Sequence, residues 1–390
     1  MAKRAARRLA SVERSATVAL LDRVQQLRAQ GRSLVDLSRG EPDFVTPQEI
    51  TEAAVAALRS GRTHYSPSRG LPELREAIAA KLLADNDVVV SAADGVLVTP
   101  SAKHALYAAF TSLLDPGDEV VIPSPGWVSY AAMVSLAGAT PVPALLDPAT
   151  GFRITEAVIE AAVTPGTRIL LVNSPNNPTG RMLDAAELEA VLTVARRHDL
   201  VVISDEIYEH IRYDGHPHLS PAAYLRENTL TVNGFSKGYA MTGWRLGYLA
   251  GPADLVAAAR KVQEHSVSCA ATFTQIAGTT ALEDSQPAVE EMVSAYTARR
   301  ALLVEGLNFL PGVTCAAPEG SFYAFPDISG TGVPDGSEFA EWMLDDAGVV
   351  MTPGPAFGAG GRTHVRLSFA ASEQELTDAL ERMDKALRSR

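Results

Sequence analysis

A lysine and an arginine eight residues apart form the most informative segment of the chain. The segment NGFSKGYAMTGWRLG (233–247) has Lys237 between small residues and Arg245 eight positions later. A lysine amine can form an imine with a carbonyl cofactor, and an arginine fork can bind a phosphate dianion. The pattern therefore predicts a phosphate-bearing cofactor held by Lys237. Taken alone, the segment fits a surface lysine and a helix-flanking arginine about equally well.

Two further charged residues lie in apolar segments, where burial is costly without a partner. Asp205 follows the run LVVIS (200–204), and Arg366 lies within HVRLSFA (364–370). Buried charges are normally paired or bound to a ligand, because removing them from water is unfavourable. We expect each of these two residues to face a ligand. The alternatives are a helix N-cap for Asp205 and a structural salt bridge for Arg366.

The segment TPSAKH (99–104) is a candidate phosphate cradle, because it opens a predicted helix. The backbone N–H groups of Ala102 and Lys103, together with the Ser101 hydroxyl, can bind an anion at the positive end of a helix. The simpler interpretation is that Ser101 serves only as the N-cap of that helix.

These candidate residues follow a regular series of strands and helices. The predicted strands are 96–98, 119–122, 168–172, 200–204, 229–232 and 246–250, and the predicted helices include 101–114 and 184–199, the latter with Asp184 as its N-cap. Apolar strands separated by helices indicate an α/β fold with a mostly parallel sheet covered on both faces. Ligands bind beyond the carboxyl ends of such strands, so the polar loops after four of them should converge on one cleft.

A second, smaller unit of α+β type is predicted to begin after about residue 290. Its predicted helices are 290–307, 337–347 and 373–387, and its predicted strands are 320–325 and 363–369.

Composition excludes several classes of protein. The 390 residues carry a formal net charge of −12, which argues against binding to nucleic acid or to an anionic membrane surface. The two cysteines, Cys269 and Cys315, are far apart, and the eight histidines fit no standard zinc spacing, so we expect neither a disulfide framework nor a metal site. Without an export signal or a membrane span, a cytoplasmic protein is expected.

From SATV (15–18) to HVRLSFA (364–370), the chain resembles the class I aminotransferases of the aspartate-aminotransferase superfamily. The motifs that carry the resemblance occur in the family's order: GEPDF (40–44), YSPSRGLPELREAIA (65–79), TPSAKH, PGWVSY (125–130), NSPNNPTG (173–180), DEIY (205–208) and the lysine segment. The resemblance implies fold type I, with a seven-stranded, mostly parallel sheet between helices and a smaller α+β domain. It also implies a large domain at 48–288 and a small domain at 1–47 and 289–390.

The resemblance implies pyridoxal 5'-phosphate (PLP) as the cofactor and a ping-pong transfer of an amino group from an amino acid to a 2-oxo acid. Lys237, Asp205 and Tyr208 would be catalytic, with Asp205 on the pyridine nitrogen and Tyr208 and Asn177 on the phenolic oxygen. In the family, the cofactor phosphate is bound by the residues that match Ser101, Ala102, Lys103 and Arg245, and the ring stacks on the residue that matches Trp127. The substrate would contact Gly40, Trp127, Asn177 and Arg366. Of these, Arg366 would bind the α-carboxylate.

The resemblance also implies a homodimer in which Tyr65 reaches the cofactor phosphate of the partner subunit. One departure from part of the family is Gly234, which stands where some members carry a phosphate-binding serine.

The substrate remains open at this stage between aspartate or glutamate and a broader range, with 2-oxoglutarate as the expected acceptor. Lys103 matches a lysine that reaches a distal carboxylate in some aspartate-specific relatives, whereas Glu13 would repel one. Phe44 and Phe322 would suit apolar or aromatic side chains. Two other functions remain possible: another fold type I PLP reaction, such as a β-lyase, decarboxylase, oxidase or cyclase, and a non-catalytic PLP-binding regulator.

Overall fold

The computed structural model describes residues 9, 12 and 16–389 of the chain. In this part of the chain, the strands are β1 Val35–Asp36, β2 Val96–Thr99, β3 Glu119–Ser124, β4 Thr140–Leu145, β5 Thr167–Asn173, β6 Val201–Asp205, β7 Thr229–Gly234, β8 Gly247–Ala250, β9 Tyr323–Ala324, β10 Val349–Val350, β11 Thr352–Pro353 and β12 Val365–Ser368. The α-helices are α1 Ala16–Ala29, α2 Gln48–Arg59, α3 Pro72–Asn86, α4 Ala102–Leu113, α5 Ser129–Ala137, α6 Glu156–Glu160, α7 Ala185–Arg197, α8 Ala253–Ser266, α9 Thr272–Asp284, α10 Gln286–Phe309, α11 Gly336–Trp342 and α12 Glu373–Arg388.

A seven-stranded sheet in the order β2-β8-β7-β6-β5-β3-β4 forms the centre of the molecule. Only β8 runs against the others, because it pairs antiparallel with both β2 and β7. The predicted α/β fold with a mostly parallel seven-stranded sheet is therefore confirmed. Since β2, β5, β6 and β7 share one direction, the loops that follow them lie along the same edge of the sheet.

Apolar residues on both faces of the sheet hold the covering helices. In β5, Ile169 and Leu171 belong to the apolar cluster that includes residues of α4 and α8. Leu170 and Val172 lie on the opposite face, in the cluster that includes residues of α6 and α7. Strands covered on both faces read as continuous apolar runs, which is why most of them could be predicted from the sequence.

Local capping fixes where two of the predicted helices begin. Asp184 accepts a hydrogen bond from the backbone N–H of Glu187, and the Glu187 side chain accepts one in return, so α7 starts with a capping box. Ser372 and Glu375 form the same arrangement at the start of α12. The helix predicted over 337–347 is shorter, since α11 ends at Trp342 and a π-helical turn follows at 343–347.

Elements from both ends of the chain pack together beside the large sheet. β1 pairs in parallel with β10, and β12 pairs antiparallel with β9 and β11. The apolar core of this region includes residues of α10, α12 and the short strands. None of the helices in the described part of the chain combines the length and the apolar character that a bilayer crossing needs.

Candidate active site

One pocket of about 400 Å³ opens at the sheet edge where the loops after β2, β5, β6 and β7 meet. Eleven of the twelve predicted site residues line it: Gly40, Ser101, Ala102, Lys103, Trp127, Asn177, Asp205, Tyr208, Lys237, Arg245 and Arg366. The twelfth, Tyr65, does not. The predicted residues therefore meet in one cleft beyond the carboxyl ends of the strands, as the positions of the polar loops in the sequence predicted.

Lys237 enters the pocket from the turn after β7. Its Nζ donates a hydrogen bond to the Gly40 backbone oxygen and lies 6.0 Å from the centre of the Tyr208 ring. Burial lowers the pKa of Lys237 to about 8, with the positive charges of Arg366, Arg245 and Lys103 acting in the same direction and Glu41 opposing them. A substantial fraction of the amine is therefore neutral near physiological pH, as a nucleophile or base must be.

Asp205 ends β6 inside the pocket, with only 3% of its surface exposed. The Tyr130 hydroxyl donates to its Oδ2 at 2.7 Å, and the Ile207 backbone N–H donates to its Oδ1 at 3.3 Å. Burial raises the pKa of Asp205 to about 6 in spite of these two donors. Among the described residues Asp205 has no cationic side chain in an ion pair with it, so the site favours a ligand that brings a positive N–H group.

Arg366 is a second buried charge that lines the pocket, and it is 2% exposed. It donates from Nη1 to Asn177 Oδ1 at 3.0 Å, and from Nη2 to the Ser38 oxygen at 2.9 Å and to Thr352 Oγ1 at 3.3 Å. Its Nε has no partner, and within the described residues no carboxylate pairs with it. A salt bridge, the alternative considered for Arg366, is therefore not found here, and an incoming carboxylate would supply the missing anion.

The start of α4 forms the third part of the pocket. Ser101 caps the helix by accepting from the His104 backbone N–H at 3.3 Å. The neighbouring strand approaches closely because residue 247 is glycine: an added Cβ there would lie 2.3 Å from the Ala102 nitrogen. Arg245 lies two residues before the start of this strand, and its Nη1 donates to the Thr242 oxygen at 2.7 Å. The arrangement combines a helix N-terminus and a guanidinium, which suits a phosphate.

An aromatic pair, Trp127 and Tyr130, also lines the pocket. Trp127 packs edge-on against Tyr130 with 5.2 Å between ring centres, and Lys103 Nζ lies 4.8 Å from the Trp127 ring centre. A flat aromatic ligand could stack on such a surface.

A family model described as aminotransferase class I and II matches residues 32–383. An aspartate aminotransferase of Musicola paradisiaca is 46% identical over 375 residues, which make up 96% of this chain and 94% of that protein. The chain belongs to the class I and II aminotransferase family. Its cofactor is pyridoxal 5'-phosphate, and its reaction moves an amino group between an amino acid and a 2-oxo acid.

Solved structures agree with this assignment. The chain matches an aspartate aminotransferase from Thermus thermophilus with maleate at a TM-score of 0.94 and 44% identity, covering 98% of this chain and 99% of that one. It matches an aromatic aminotransferase from Pyrococcus horikoshii OT3 at a TM-score of 0.89 and 43% identity, covering 93% and 98%. The predictions of family, fold and cofactor are thereby confirmed.

The pocket of this aminotransferase fits PLP on its own geometry. The buried carboxylate of Asp205 lacks a cationic partner among the described residues, and a protonated pyridine nitrogen would provide one. Lys237 offers an amine with a pKa lowered to about 8. The start of α4 and the nearby Arg245 offer the donors that a phosphate needs. The individual residue roles stay predictions.

Some residues singled out in the sequence lie outside this pocket. Tyr65 is 90% exposed on the surface of the chain, and its predicted role in a partner subunit stays a prediction. Phe44 and Phe322 are not among the residues that line the pocket, although Lys237 Nζ lies 5.8 Å from the centre of the buried Phe322 ring. Their suitability for an apolar or aromatic substrate stays a prediction. Glu13 lies outside the described residues.

Among the pocket residues that the sequence reasoning missed, three have side chains that contact the predicted site residues or the loops that carry them. Tyr130 is the last residue of PGWVSY and donates to Asp205. Tyr323 follows Phe322 and lies beside Arg366 and Tyr208. Glu41, inside GEPDF, accepts from the Thr242 hydroxyl at 3.0 Å. Each of these residues lies in a motif or in a predicted strand, but the spacing along the chain does not distinguish their side chains from packing residues.

A buried ionic cluster lies next to the pocket, behind the turn that carries Tyr208. Glu206, Glu209 and His218 bring atoms of the kind that bind metals within 4.8 Å of one another. However, the Lys81 ammonium contacts Glu209, and Asn86 Nδ2 donates to Glu209 at 2.8 Å and to Glu206 at 3.3 Å. Because these carboxylates already have donors, we interpret the cluster as an anchor for the turn.

Proposed function

We propose that this aminotransferase acts on dicarboxylic amino acids, aspartate or glutamate, with 2-oxoglutarate as an acceptor. The observation that carries the proposal is the charge around the pocket. Within the described residues that line it, Arg39, Lys103, Lys237, Arg245 and Arg366 are cationic, whereas only Glu41 and Asp205 are acidic. If Asp205 pairs with the protonated pyridine nitrogen, the five cations exceed the combined charge of Glu41, a phosphate dianion and one α-carboxylate by a single positive charge, which a second carboxylate would meet. The names of the relatives, aspartate aminotransferases in several cases, support the same substrate class.

Substrate orientation would depend on Arg366. Its buried guanidinium would bind the α-carboxylate in two parallel hydrogen bonds, using the Nε that lacks a partner. Asn177 holds the guanidinium through its side-chain oxygen, so the amide nitrogen of Asn177 is the end that would donate to the cofactor's phenolic oxygen. The Gly40 backbone would contact the same carboxylate.

Proton transfer would depend on Lys237 and Asp205. When bound, PLP supplies an electron-accepting ring that stabilises the charge left on the substrate Cα. Lys237 Nζ, once free, would accept the Cα proton and later return it, which a pKa of about 8 suits. Asp205 would hold a proton on the pyridine nitrogen, and Tyr208 would donate to the phenolic oxygen. Trp127 would fix the tilt of the ring.

The phosphate would be held at the start of α4 by Ser101, the N–H groups of Ala102 and Lys103, and Arg245. We propose that Lys103 Nζ also reaches the distal carboxylate, since the ammonium lies over Trp127 at the side of the pocket.

We further propose a homodimer in which Tyr65 contacts the partner's cofactor phosphate. Tyr65 and Val45 flank α2 in the sequence and are 90% and 88% exposed, and α2 itself exposes Val55 and Leu58. Four exposed apolar or aromatic side chains on and around one helix suggest a subunit contact. A cytoplasmic location is part of the proposal and is supported by the two free thiols, Cys269 and Cys315.

The same proposal divides the chain into a large domain at 48–288 and a small domain at 1–47 and 289–390. The pairing of β1 with β10 supports it, because the strand at residues 35–36 joins the C-terminal elements.

A donor panel with a charge variant tests the substrate class. Aspartate, glutamate, alanine and phenylalanine would be compared as donors to 2-oxoglutarate and pyruvate. Lys103→Met should lower kcat/KM for aspartate about 10- to 100-fold, the usual loss of a charge-assisted hydrogen bond, and leave alanine nearly unchanged. Lys385→Met, at an exposed site on α12, is the matched control. A wild-type preference for alanine or phenylalanine would contradict the proposal.

Hybrid dimers test the shared site. Lys237→Ala inactivates the active site of its own subunit, and Tyr65→Ala damages whichever active site the Tyr65 side chain enters. If Tyr65 serves the partner, a heterodimer of the two variants has one site with both defects and one intact site. An equal mixture after subunit exchange should then recover about a quarter of wild-type activity. If Tyr65 served its own subunit, no site would be intact and activity would stay absent.

A further inference from the structure

The Tyr323 hydroxyl lies between the part of the pocket assigned to the cofactor and the part assigned to the substrate carboxylate. Tyr323 is only 1% exposed, and its ring centre lies 4.2 Å from Arg366 Cζ. Its hydroxyl lies 3.0 Å from the Tyr208 hydroxyl. A Cβ added to Gly40 would approach this hydroxyl to 3.4 Å, so the loop at residue 40 leaves just enough room for it.

The contact between the two hydroxyls must have a direction. Each carries one proton, and either oxygen can donate to the other. In the part of the chain that the structure describes, neither hydroxyl has another side-chain partner. Once the Tyr208 hydroxyl donates its hydrogen bond to the cofactor's phenolic oxygen, its oxygen can only accept from the Tyr323 hydroxyl. Binding of the cofactor would therefore fix the order Tyr323 to Tyr208 to phenolic oxygen.

We propose that Tyr323 is a positioning residue, whose hydroxyl donates to Tyr208 and so directs and strengthens the hydrogen bond from Tyr208 to the cofactor. The inference rests on the proposed function of Tyr208. Hydrogen bonds in a chain polarise one another, so a donor behind Tyr208 makes Tyr208 a better donor in turn. Burying a hydroxyl without such a bond would be unfavourable, which argues against a role for the Tyr323 ring alone.

The charged groups around Tyr208 and Tyr323 must be the same in the wild type and in the variants compared with it. Lys237 and Arg366 bring positive charge to the two rings, and Asp205 and Glu41 bring negative charge. Tyr323→Phe removes only the hydroxyl: the ring remains over Arg366 and the backbone pairing of β9 with β12 is kept. A change in this variant therefore reports on the hydrogen bond.

The test is a spectrophotometric pH titration of the lysine–cofactor linkage in the holoenzyme. Donors to the phenolic oxygen stabilise its negative charge and so keep the pKa of the linkage low. Tyr208→Phe should raise the titration midpoint by about one to two units. Tyr323→Phe should raise it by a smaller amount, on the order of half a unit. The double variant should match Tyr208→Phe alone, because Tyr323 acts through Tyr208.

Tyr213→Phe is the matched control. Its buried hydroxyl donates to the Ser321 oxygen at 2.6 Å in the same apolar cluster, away from the pocket, so the midpoint should stay at the wild-type value. An unchanged midpoint in Tyr208→Phe would refute the proposed role of Tyr208. A shift in Tyr208→Phe with none in Tyr323→Phe would overturn this inference alone. Additive shifts in the double variant, or an equal shift in Tyr213→Phe, would overturn it as well.

Discussion

The affinity of the cofactor-free protein for PLP should fall as the pH drops through about 6, because Asp205 loses its charge there. Burial raises the pKa of Asp205 to about 6. A protonated pyridine nitrogen beside this carboxylate would favour its charged form, so its pKa must be lower in the complex. The contribution of Asp205 to binding is therefore complete well above pH 6 and is lost below it. Between pH 7 and pH 5 the ionised fraction falls from about nine-tenths to about one-tenth, which weakens binding about tenfold.

Lys237→Ala is the suitable background for this measurement. The substitution removes the covalent linkage and the titration of the Lys237 amine, which has a pKa of about 8. It also removes a positive charge that lowers the pKa of Asp205, so the midpoint should lie somewhat above 6. Dissociation constants would be measured by equilibrium dialysis between pH 5 and pH 8, for Lys237→Ala and for Lys237→Ala with Asp205→Asn.

The double variant separates Asp205 from the cofactor's own ionisation. The phosphate titrates in both proteins, so its effect cancels in the ratio of the two dissociation constants. We expect this ratio to change at least about tenfold between pH 7 and pH 5, because the midpoint lies somewhat above 6, and to level off at higher pH. A ratio that stays constant over the whole range would show that the Asp205 carboxylate does not bind the charged nitrogen, and the assignment would be wrong.

Three further predictions concern the same residues and the cluster behind them. Lys237→Ala should abolish turnover and the visible absorbance of the lysine–cofactor linkage, and retained multiple turnover would contradict its role. Asp205→Ala should reduce kcat far more than Tyr208→Phe, because it removes the partner of the ring nitrogen. Equal losses of kcat in steady-state measurements would contradict that ranking. Lys81→Met should lower the free energy of unfolding by about 3–5 kcal/mol at pH 7, since it leaves the Glu209 carboxylate buried without its cation. Burial tends to raise the pKa of Glu209, but Lys81, two histidines and Asn86 outweigh it and hold the pKa below its usual range. The stabilisation by the Lys81–Glu209 pair is therefore present above the unfolded pKa of Glu209, about 4.3, and is lost at lower pH. In urea denaturation, the free energies of unfolding of the wild type and Lys81→Met should therefore converge in acid.

Sequence patterns located most strands of the large sheet because those strands are covered on both faces. β4 was missed, and its composition explains why. Its sequence TPVPAL contains Pro141 and Pro143, which lack the backbone N–H groups that an inner strand needs. β4 is one of the two edge strands of this sheet and pairs only with β3, so it tolerates both prolines. The short strands β1, β10 and β11 have two residues each and leave no periodic signal.

The candidate site was predictable where burial of a charge demands a partner. Asp205 and Arg366 each lie in an apolar run, and the cost of burying either charge alone predicts a ligand from the sequence. Tyr130 and Tyr323 carried no such signal, because a tyrosine in an apolar segment is ordinary core composition. Their roles depend on which hydroxyl meets which partner across the fold, and spacing along the chain does not encode that.

The two unpaired buried charges also explain why the pocket needs contributions from both ends of the chain. Arg366 comes from β12, yet the groups that hold its guanidinium are Ser38, Thr352 and Asn177, from three separate segments. Asp205 comes from β6 and is held by Tyr130 from α5. Each charge is kept in place by neutral donors or acceptors that orient it without neutralising it. A neutralised pair would be more stable and would have nothing left to offer a ligand. Among the described residues, the Nε of Arg366 without a partner and the raised pKa of Asp205 therefore support the proposal that substrate and cofactor complete this site.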